Sequence, residues 1–247
     1  MVFYVYDKAD YYNEFAEYYD EGSSTDNVAK VKLLQGIIQK LNPEARSILE
    51  IACGTGNVLA PLSKHYDVTG LDLSPNMLDI ARAKLPNMTF IEGDMTEFEL
   101  GKKFDVVLCI FDSINHLVEF AQWEATFDRV KAHLKDGGIF IVDINTVHKM
   151  DRFAAFRPMY ELIKNKYQLI NIEKKQDGLY SWNIEVFYPS DEDKMYRLSR
   201  TSIPISAYPY ERVEQSLKER FSKVELSTTD NKPIDDTTDR IYFSCKL

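Results

Sequence analysis

Residues 48–62 read Ile48-Leu49-Glu50-Ile51-Ala52-Cys53-Gly54-Thr55-Gly56-Asn57-Val58-Leu59-Ala60-Pro61-Leu62. An apolar run passes into a turn of small residues and then into a second apolar run. That order is a strand, a glycine-bearing turn and a helix start. Small residues at 52, 54 and 56 let a ligand approach the backbone where side chains would block it. The start of the helix presents N–H groups without intrahelical partners. Together these features predict a seat for a nucleoside ligand. A dinucleotide fingerprint places glycine three residues after its second glycine. Here Leu59 occupies that position, which argues against a nicotinamide or flavin dinucleotide.

Outward from this segment the chain alternates. Residues 8–21 and 28–41 read as helices, the second with Val28, Val31, Leu34, Ile38 and Leu41 on one stripe, and Pro43 ends it. Strands are predicted at 47–51, 68–71, 88–92, 104–110 and 138–144, with helices at 58–64, 75–84 and 120–134. Continuously apolar strands alternating with helices indicate a mostly parallel sheet covered on both faces, with ligands at the carboxyl ends of its strands. From Asp151 the pattern changes to strands at 167–174, 179–188 and 195–206, with turn signals at Asp177-Gly178 and Pro189-Ser190-Asp191. A helix at 210–221 follows, then strands at 223–227 and 240–246 that pair to close one sheet edge. The predicted fold is α/β, a Rossmann-like, doubly wound, mostly parallel seven-stranded sheet with an antiparallel β insertion after the fifth strand.

The chain has 247 residues, enough for one core unit plus an elaboration, and a formal charge of −9. That balance repels a phosphate backbone, so no nucleic-acid partner is expected. Lys164, Lys166, Lys174 and Lys175 alternate with Glu161 and Glu173 and read as a solvated face. Cys53, Cys109 and Cys245 show neither disulfide nor metal spacing, and His65, His133 and His148 are isolated, so no metal is expected. No apolar run is long enough to span a membrane, and the first residues lack a signal-peptide pattern, which points to the cytoplasm.

Asp72 in Gly-Leu-Asp-Leu-Ser and Asp94 in Glu-Gly-Asp-Met follow Glu50 at equal steps of 22 residues, one strand-helix unit. All three carboxylates therefore reach one rim of the sheet, where they can accept from ribose hydroxyls or an adenine amino group. Ser74 before Pro75 also reads as a helix cap. With this pattern in place, ILEIACGTG, GLDLS, EGDM, FDVVLCIFDSINHL and LKDGGIFIVDIN, in order over roughly residues 45–146, resemble the class I S-adenosylmethionine-dependent methyltransferases. The resemblance implies S-adenosylmethionine as cofactor, with Glu50, Ala52, Cys53, Gly54 and Gly56 at its methionine part. It places Asp72 at the ribose, Leu73 and Met77 beside the adenosine, Asp94 and Met95 at the adenine, and Ile110 and Phe111 along the path to the methyl group. Ala52, where the family has glycine, and Glu50, where aspartate is commoner, depart from the pattern. The N-terminal YYNEFAEYYD is similar to the family's aromatic lid helix, with Tyr12 and Tyr19 as closing residues; alternatively Tyr11, Phe15, Tyr18 and Tyr19 pack on the core at helical spacing.

Methyl transfer from a sulfonium is a direct displacement, so alignment and exclusion of water matter most, and a base helps only a protonated acceptor. Asp112 and His116, after the fourth core strand, are the catalytic candidates; a turn cap and a bond to a backbone carbonyl are their structural alternatives. Asp143 and Asn145 end the next strand within reach. Trp182, Tyr188 and Tyr196 read as stabilising the insertion, with an acceptor pocket as the alternative. The division expected is a helical lid over 1–45, a cofactor-binding core over 46–150 and 207–247, and an acceptor-shaping insertion over 151–206. The function expected is methylation of an N or O atom of a small-molecule acceptor. An RNA or protein acceptor, cofactor binding without turnover, and polyamine synthesis with decarboxylated cofactor are the alternatives. The oligomeric state is open, a homodimer included.

Overall fold

The computed structural model describes residues 12, 16–20, 26–189 and 195–247. Seven strands, β1 (Ser47–Ile51), β2 (Asp67–Asp72), β3 (Thr89–Glu92), β4 (Phe104–Cys109), β5 (Leu134–Asn145), β10 (Lys223–Ser227) and β11 (Arg240–Lys246), form one sheet in the order β10-β11-β5-β4-β1-β2-β3. Strands β1 to β5 run parallel, while β11 pairs antiparallel with both β5 and β10. Every residue of β1 is buried, as continuous apolar character predicts for a central strand. The strand order reverses direction at the β1–β4 border, which opens a crevice at the carboxyl ends of these strands.

Two apolar layers cover the sheet. One packs Trp123, Phe127 and Val130 of the Phe120–Ala132 helix with Val213 and Leu217 of the Tyr210–Lys218 helix. The other packs Val31, Leu34 and Ile38 of the Asp26–Leu41 helix with Leu59, Leu62, Leu78 and Ala81. Where the sequence indicates them, caps fix the helix starts. Ser74 Oγ accepts from Met77 N–H at 3.2 Å, with Pro75 in the first turn.

Four further strands, β6 (Met159–Ile163), β7 (Lys166–Gln176), β8 (Leu179–Pro189) and β9 (Tyr196–Ser206), make a separate antiparallel sheet. Strand β6 and the Val147–Ala155 helix are additions to the sequence reading. β6 joins β7 through Lys164 and Asn165, and the left-handed conformation falls on Lys164 (φ 55°) rather than on glycine, so its hairpin carries no usual turn signal. The helix crosses residue 151 and seats Met150 among Ile172, Tyr180 and Ile205 of the insertion. The predicted helix at 58–64 contracts to Leu59–Leu62. Most of the predicted 8–21 helix, with Tyr11, Phe15 and the side chain of Tyr18, lies outside the described residues, as does the turn at Ser190-Asp191; Ala16–Tyr19 is helical.

Gly70 lies in β2 directly beneath the 52–57 turn. A Cβ there would fall 2.7 Å from Cys53 Sγ and 2.8 Å from Phe90 Cδ1. Gly70→Ala is expected to lower stability by about 1–3 kcal/mol, read from urea unfolding, because neither neighbour has room to withdraw.

Candidate active site

The turn after β1 is held in a left-handed conformation at three alternate positions, Ala52 (φ 54°), Gly54 (φ 52°) and Gly56 (φ 77°). The second and third are glycines, which adopt it without steric cost; Ala52 meets a penalty of about 1–2 kcal/mol. Asp72, at the end of β2, fixes the turn: its Oδ2 accepts Gly54 N–H at 2.7 Å and its Oδ1 accepts Ser74 N–H at 2.9 Å. Each oxygen keeps acceptor capacity for a further hydroxyl. Burial pushes the Asp72 carboxyl up, against these backbone donors. Asp94 Oδ1 accepts from Thr96 N–H at 2.8 Å and from Thr96 Oγ1 at 2.7 Å, so it shapes the turn after β3 while lining the same crevice.

A cavity of about 320 Å³ opens above these groups, lined among others by Tyr12, Tyr19, Asp72, Met77, Phe111 and His116. Leu73, Asp94 and Met95 also face it. A smaller cavity of about 60 Å³ continues beside Glu50, Cys53, Thr55, Ile110 and Phe111. Glu50 is 3% exposed and its Oε2 is buried without a hydrogen-bond partner. Burial, reinforced by the nearby charge of Asp72, pushes its carboxyl well above the usual range. A buried carboxylate oxygen awaiting a donor, next to a turn of small residues, fits the ammonium end of an amino-acid-bearing nucleoside.

Tyr19 and Asp20 lie against this turn. Asp20 Oδ1 accepts from Thr55 Oγ1 at 2.6 Å and from Asn57 Nδ2 at 2.7 Å, and Asp20 Oδ2 accepts from Lys84 at 2.8 Å. Tyr19 lies over Gly54, its Cε1 3.9 Å from where a Cβ would sit. Tyr12 and Tyr19 meet edge to face with ring centres 6.3 Å apart. Asp20 escaped the sequence reading because an acidic residue in an acidic helix carries no distinguishing signal.

Past β4, Phe111 (φ 63°) and Asp112 (φ 53°) are consecutive left-handed residues, neither of them glycine. Such a pair persists only where its surroundings hold it. Asp112 faces Arg240 of β11, whose guanidinium bridges the carboxylates of Asp112 and Asp143, while Asp143 Oδ1 accepts Asp112 N–H at 3.0 Å. Burial raises the Asp112 carboxyl, but Arg240, with Lys149 and His116, more than offsets this and leaves it below the usual carboxylate range. Asp143, wholly buried, is raised by burial in spite of Arg240. Asn145 accepts from Lys149 Nζ at 2.7 Å, and burial beside Arg240 pulls that ammonium down to about 8. The predicted catalytic pair thus separates: His116 lines the cavity, and Asp112 stands behind it in an ion network.

His116 Nε2 lies 3.0 Å from Tyr12 Oη, with the rings edge to face. Its Nδ1 is buried without a partner. Burial lowers the imidazole pKa, with the charge of Asp112 opposing. Burial holds the Tyr12 phenol well above its usual range. The cavity lining is completed by Leu117, Val118, Ile203 and Pro204, among others. Asn115 Nδ2 donates to Ser206 O at 2.7 Å and Ser206 Oγ donates to Leu117 O at 2.7 Å, which pins the end of β9 to this wall. Trp182 and Tyr188 belong to the insertion's own core, and Tyr196 is on its outer face at 51% exposure; none of the three lines the cavity. Among the described residues no group of three or more His, Cys, Asp or Glu side chains is arranged to hold a metal, and no helix is long and apolar enough to cross a membrane.

A family profile described as "Methyltransferase domain" matches residues 48–138. A dTDP-3-amino-3,6-dideoxy-alpha-D-glucopyranose N,N-dimethyltransferase of Streptomyces fradiae is 39% identical over 140 residues, 55% of each chain. The match thus spans about half the length of that relative. A methyltransferase-family protein of Geobacillus sp. (strain WCH70) is 30% identical over 251 residues, covering 95% of this chain and 99% of the relative. Among solved structures, an S-adenosylmethionine-dependent methyltransferase from Clostridium acetobutylicum ATCC 824 superposes with a TM-score of 0.80 at 26% identity, covering 96% of this chain and 98% of the other.

Arg240→Met removes the guanidinium that bridges two buried carboxylates and is expected to lower stability by about 3–5 kcal/mol, measured by chemical unfolding. Arg240→Lys keeps the charge but replaces a two-pronged donor by a point charge, and should fall between wild type and Met.

Proposed function

Since the chain belongs to the class I S-adenosylmethionine-dependent methyltransferases, we propose that it methylates the amine nitrogen of a small-molecule acceptor of the amino-sugar kind. The observation that carries this reading is the Tyr12–His116 pair at 3.0 Å on the acceptor side of the cavity. A nitrogen acceptor is further supported by the amino-sugar dimethyltransferase at 39% identity.

S-adenosylmethionine supplies a sulfonium-bound methyl group when bound. The residues present fit it. Glu50 would receive the methionine ammonium, and the backbone of Ala52 to Gly56 would border the carboxylate. Asp72 would accept the ribose hydroxyls, Leu73 and Met77 would flank the adenosine, and Asp94 and Met95 would meet the adenine. Cys53, Ile110 and Phe111 line the donor side, and Tyr19, latched through Asp20, covers the turn and excludes water.

The nucleophile must be an unprotonated amine, and methylation leaves a proton to remove. His116, kept neutral by burial, is suited to accept it. The Tyr12 hydroxyl, kept protonated, donates to Nε2 and would relay the acceptor's proton to the ring. Asp112 would stabilise the resulting imidazolium, and Arg240 would hold Asp112 ionised and aligned. In this scheme Asp112 and Arg240 are positioning residues. The 151–206 insertion contributes Ile203 and Pro204 and so would shape the acceptor's fit.

Calorimetric titration with S-adenosylmethionine and S-adenosylhomocysteine should show saturable binding; silence from folded protein would refute the cofactor assignment. Asp72→Ala should weaken that binding tenfold or more, roughly 1.4 kcal/mol. Incubation of amino-sugar nucleotides and their hydroxyl counterparts with labelled methyl donor should label the amine set; label on the hydroxyl set alone would sink the nitrogen assignment.

His116→Ala should lower turnover about 100-fold or more while cofactor affinity is kept. Because the base acts unprotonated and burial lowers its pKa, turnover should be level through neutral and mildly alkaline pH. It should fall on acidification, with an apparent pKa below 6.5, the ordinary value for histidine.

A further inference from the structure

Proline stands inside an otherwise strand-forming run, Thr201-Ser202-Ile203-Pro204-Ile205-Ser206. It has no N–H to donate, so a sheet admits it only where that position faces away from the neighbouring strand. Strand β9 is an edge of the insertion sheet, paired with β8 on one side alone. Two bonds fix which of its residues turn outward. Ala207 N–H donates to Gly178 O at 2.9 Å while Ser206 stands opposite Leu179, which makes the 206–179 pair a non-hydrogen-bonded one. From the far side, Asn115 Nδ2 donates to Ser206 O at 2.7 Å. The register runs unbroken from Ser206 back to Tyr196, so Pro204, two residues away, repeats the outward aim. Its missing N–H costs no ladder bond, and its C=O points off the free edge.

That edge borders the cavity, which Ile203 and Pro204 both line. Asn115, which grips Ser206, directly precedes His116, so the Pro204 carbonyl and the Tyr12–His116 pair flank a single fastening. Nearby, Leu117 and Val118 bring no polar side-chain group, and the Ser113 hydroxyl proton is committed to Ile110 O at 2.7 Å. At Pro204 the strand thus presents an oxygen and no donor. In such a setting the oxygen gains a bond only from an incoming N–H or O–H.

We propose that the Pro204 carbonyl is a second point of recognition for the methyl-accepting substrate, which carries an O–H or N–H donor on the same ring as its reacting nitrogen. The inference rests on the amine reading of this cavity given above. Tyr12 and His116 take the reacting nitrogen while the carbonyl holds the second donor, and two points fix an orientation that one point leaves free to rotate. Pro204 is then a positioning residue. It also selects. Any other residue would place an N–H beside the carbonyl and welcome ether or carbonyl oxygens there, whereas proline sets those oxygens against a group of like polarity.

The test is kinetic, with labelled methyl donor and an amino-sugar nucleotide whose ring hydroxyls are replaced, one at a time, by methyl ethers. For one member of the series kcat/KM should fall about tenfold or more, chiefly through KM. Pro204→Ala and Pro204→Val both supply an N–H that can donate to the ether oxygen, and each should bring that member within about threefold of its parent. Valine stays close to the size of the ring it replaces, so it separates the gained donor from gained space. Affinity for S-adenosylhomocysteine and the circular dichroism spectrum should be kept in both variants. A wild-type enzyme indifferent to every ether overturns the proposal, as does a loss that neither variant narrows or that alanine alone narrows. Should the label fall on hydroxyl substrates, the amine reading fails, and indifference to the same ether series made on those substrates overturns the carbonyl assignment too.

Discussion

The turn after β1 depends on one carboxylate. Asp72 accepts one N–H from the turn after β1 and one from the residue that caps the next helix. Those two segments come from neighbouring parallel strands, so the bond pair sets the distance between two strand ends as well as the shape of the turn. With Gly54 N–H drawn onto Asp72, the intervening backbone takes left-handed conformations at alternate positions, and only small residues tolerate the result. Gly70 answers the same constraint from below, since any side chain there would lift Cys53 and with it the turn. The Asp20 latch then uses the polar side chains that this geometry exposes, Thr55 and Asn57.

The segment after β4 rests on different physics. Arg240 belongs to the last strand, yet its guanidinium holds Asp112 after β4 and Asp143 at the end of β5. An ion network with so little exposure gives up a large hydration energy and is retained only when each charge is matched. The match here fixes a backbone stretch that would relax on its own, the consecutive left-handed residues Phe111 and Asp112. Phe111 lines both cavities, so the network acts on the passage between them while Asp112, Asp143 and Arg240 line neither.

This contrast explains what the sequence made legible. Glu50, Asp72 and Asp94 lie within single strand-turn-helix units, and their spacing is set by the length of one such unit, so they could be placed on one rim from numbers alone. The presence of all seven core strands, their mostly parallel run and the pairing of the last two at one edge followed from apolar runs and turn residues, whereas their order in the sheet did not. Contacts formed across long sequence separations left no local mark. Arg240 lies 128 residues from Asp112, and Asn115 reaches Ser206 across 91. Ile203 and Pro204 looked like ordinary strand residues, whereas Trp182, Tyr188 and Tyr196, chosen for their aromatic character, serve the insertion's own packing or its surface. Strand β6 escaped notice because its hairpin turns on Lys164, a residue that advertises nothing.

The two halves also meet solvent and substrate on different terms. The turn after β1 is made of backbone N–H groups and short side chains whose positions the sheet dictates, so substitutions there must respect conformation before chemistry. Across the cavity, side chains of β9 and the 113–118 segment form one wall, joined to each other by Asn115, Ser206 and the Tyr208 hydroxyl, which donates to Val118 O at 2.6 Å. Those fastenings lie at the root of the insertion, not along it. Strand residues beyond the root can therefore change size or polarity while the wall stays attached to the core. The bonds that position the wall are made by residues that do not line the cavity, save for the backbone carbonyls they grip, so the lining can change while its attachment is kept.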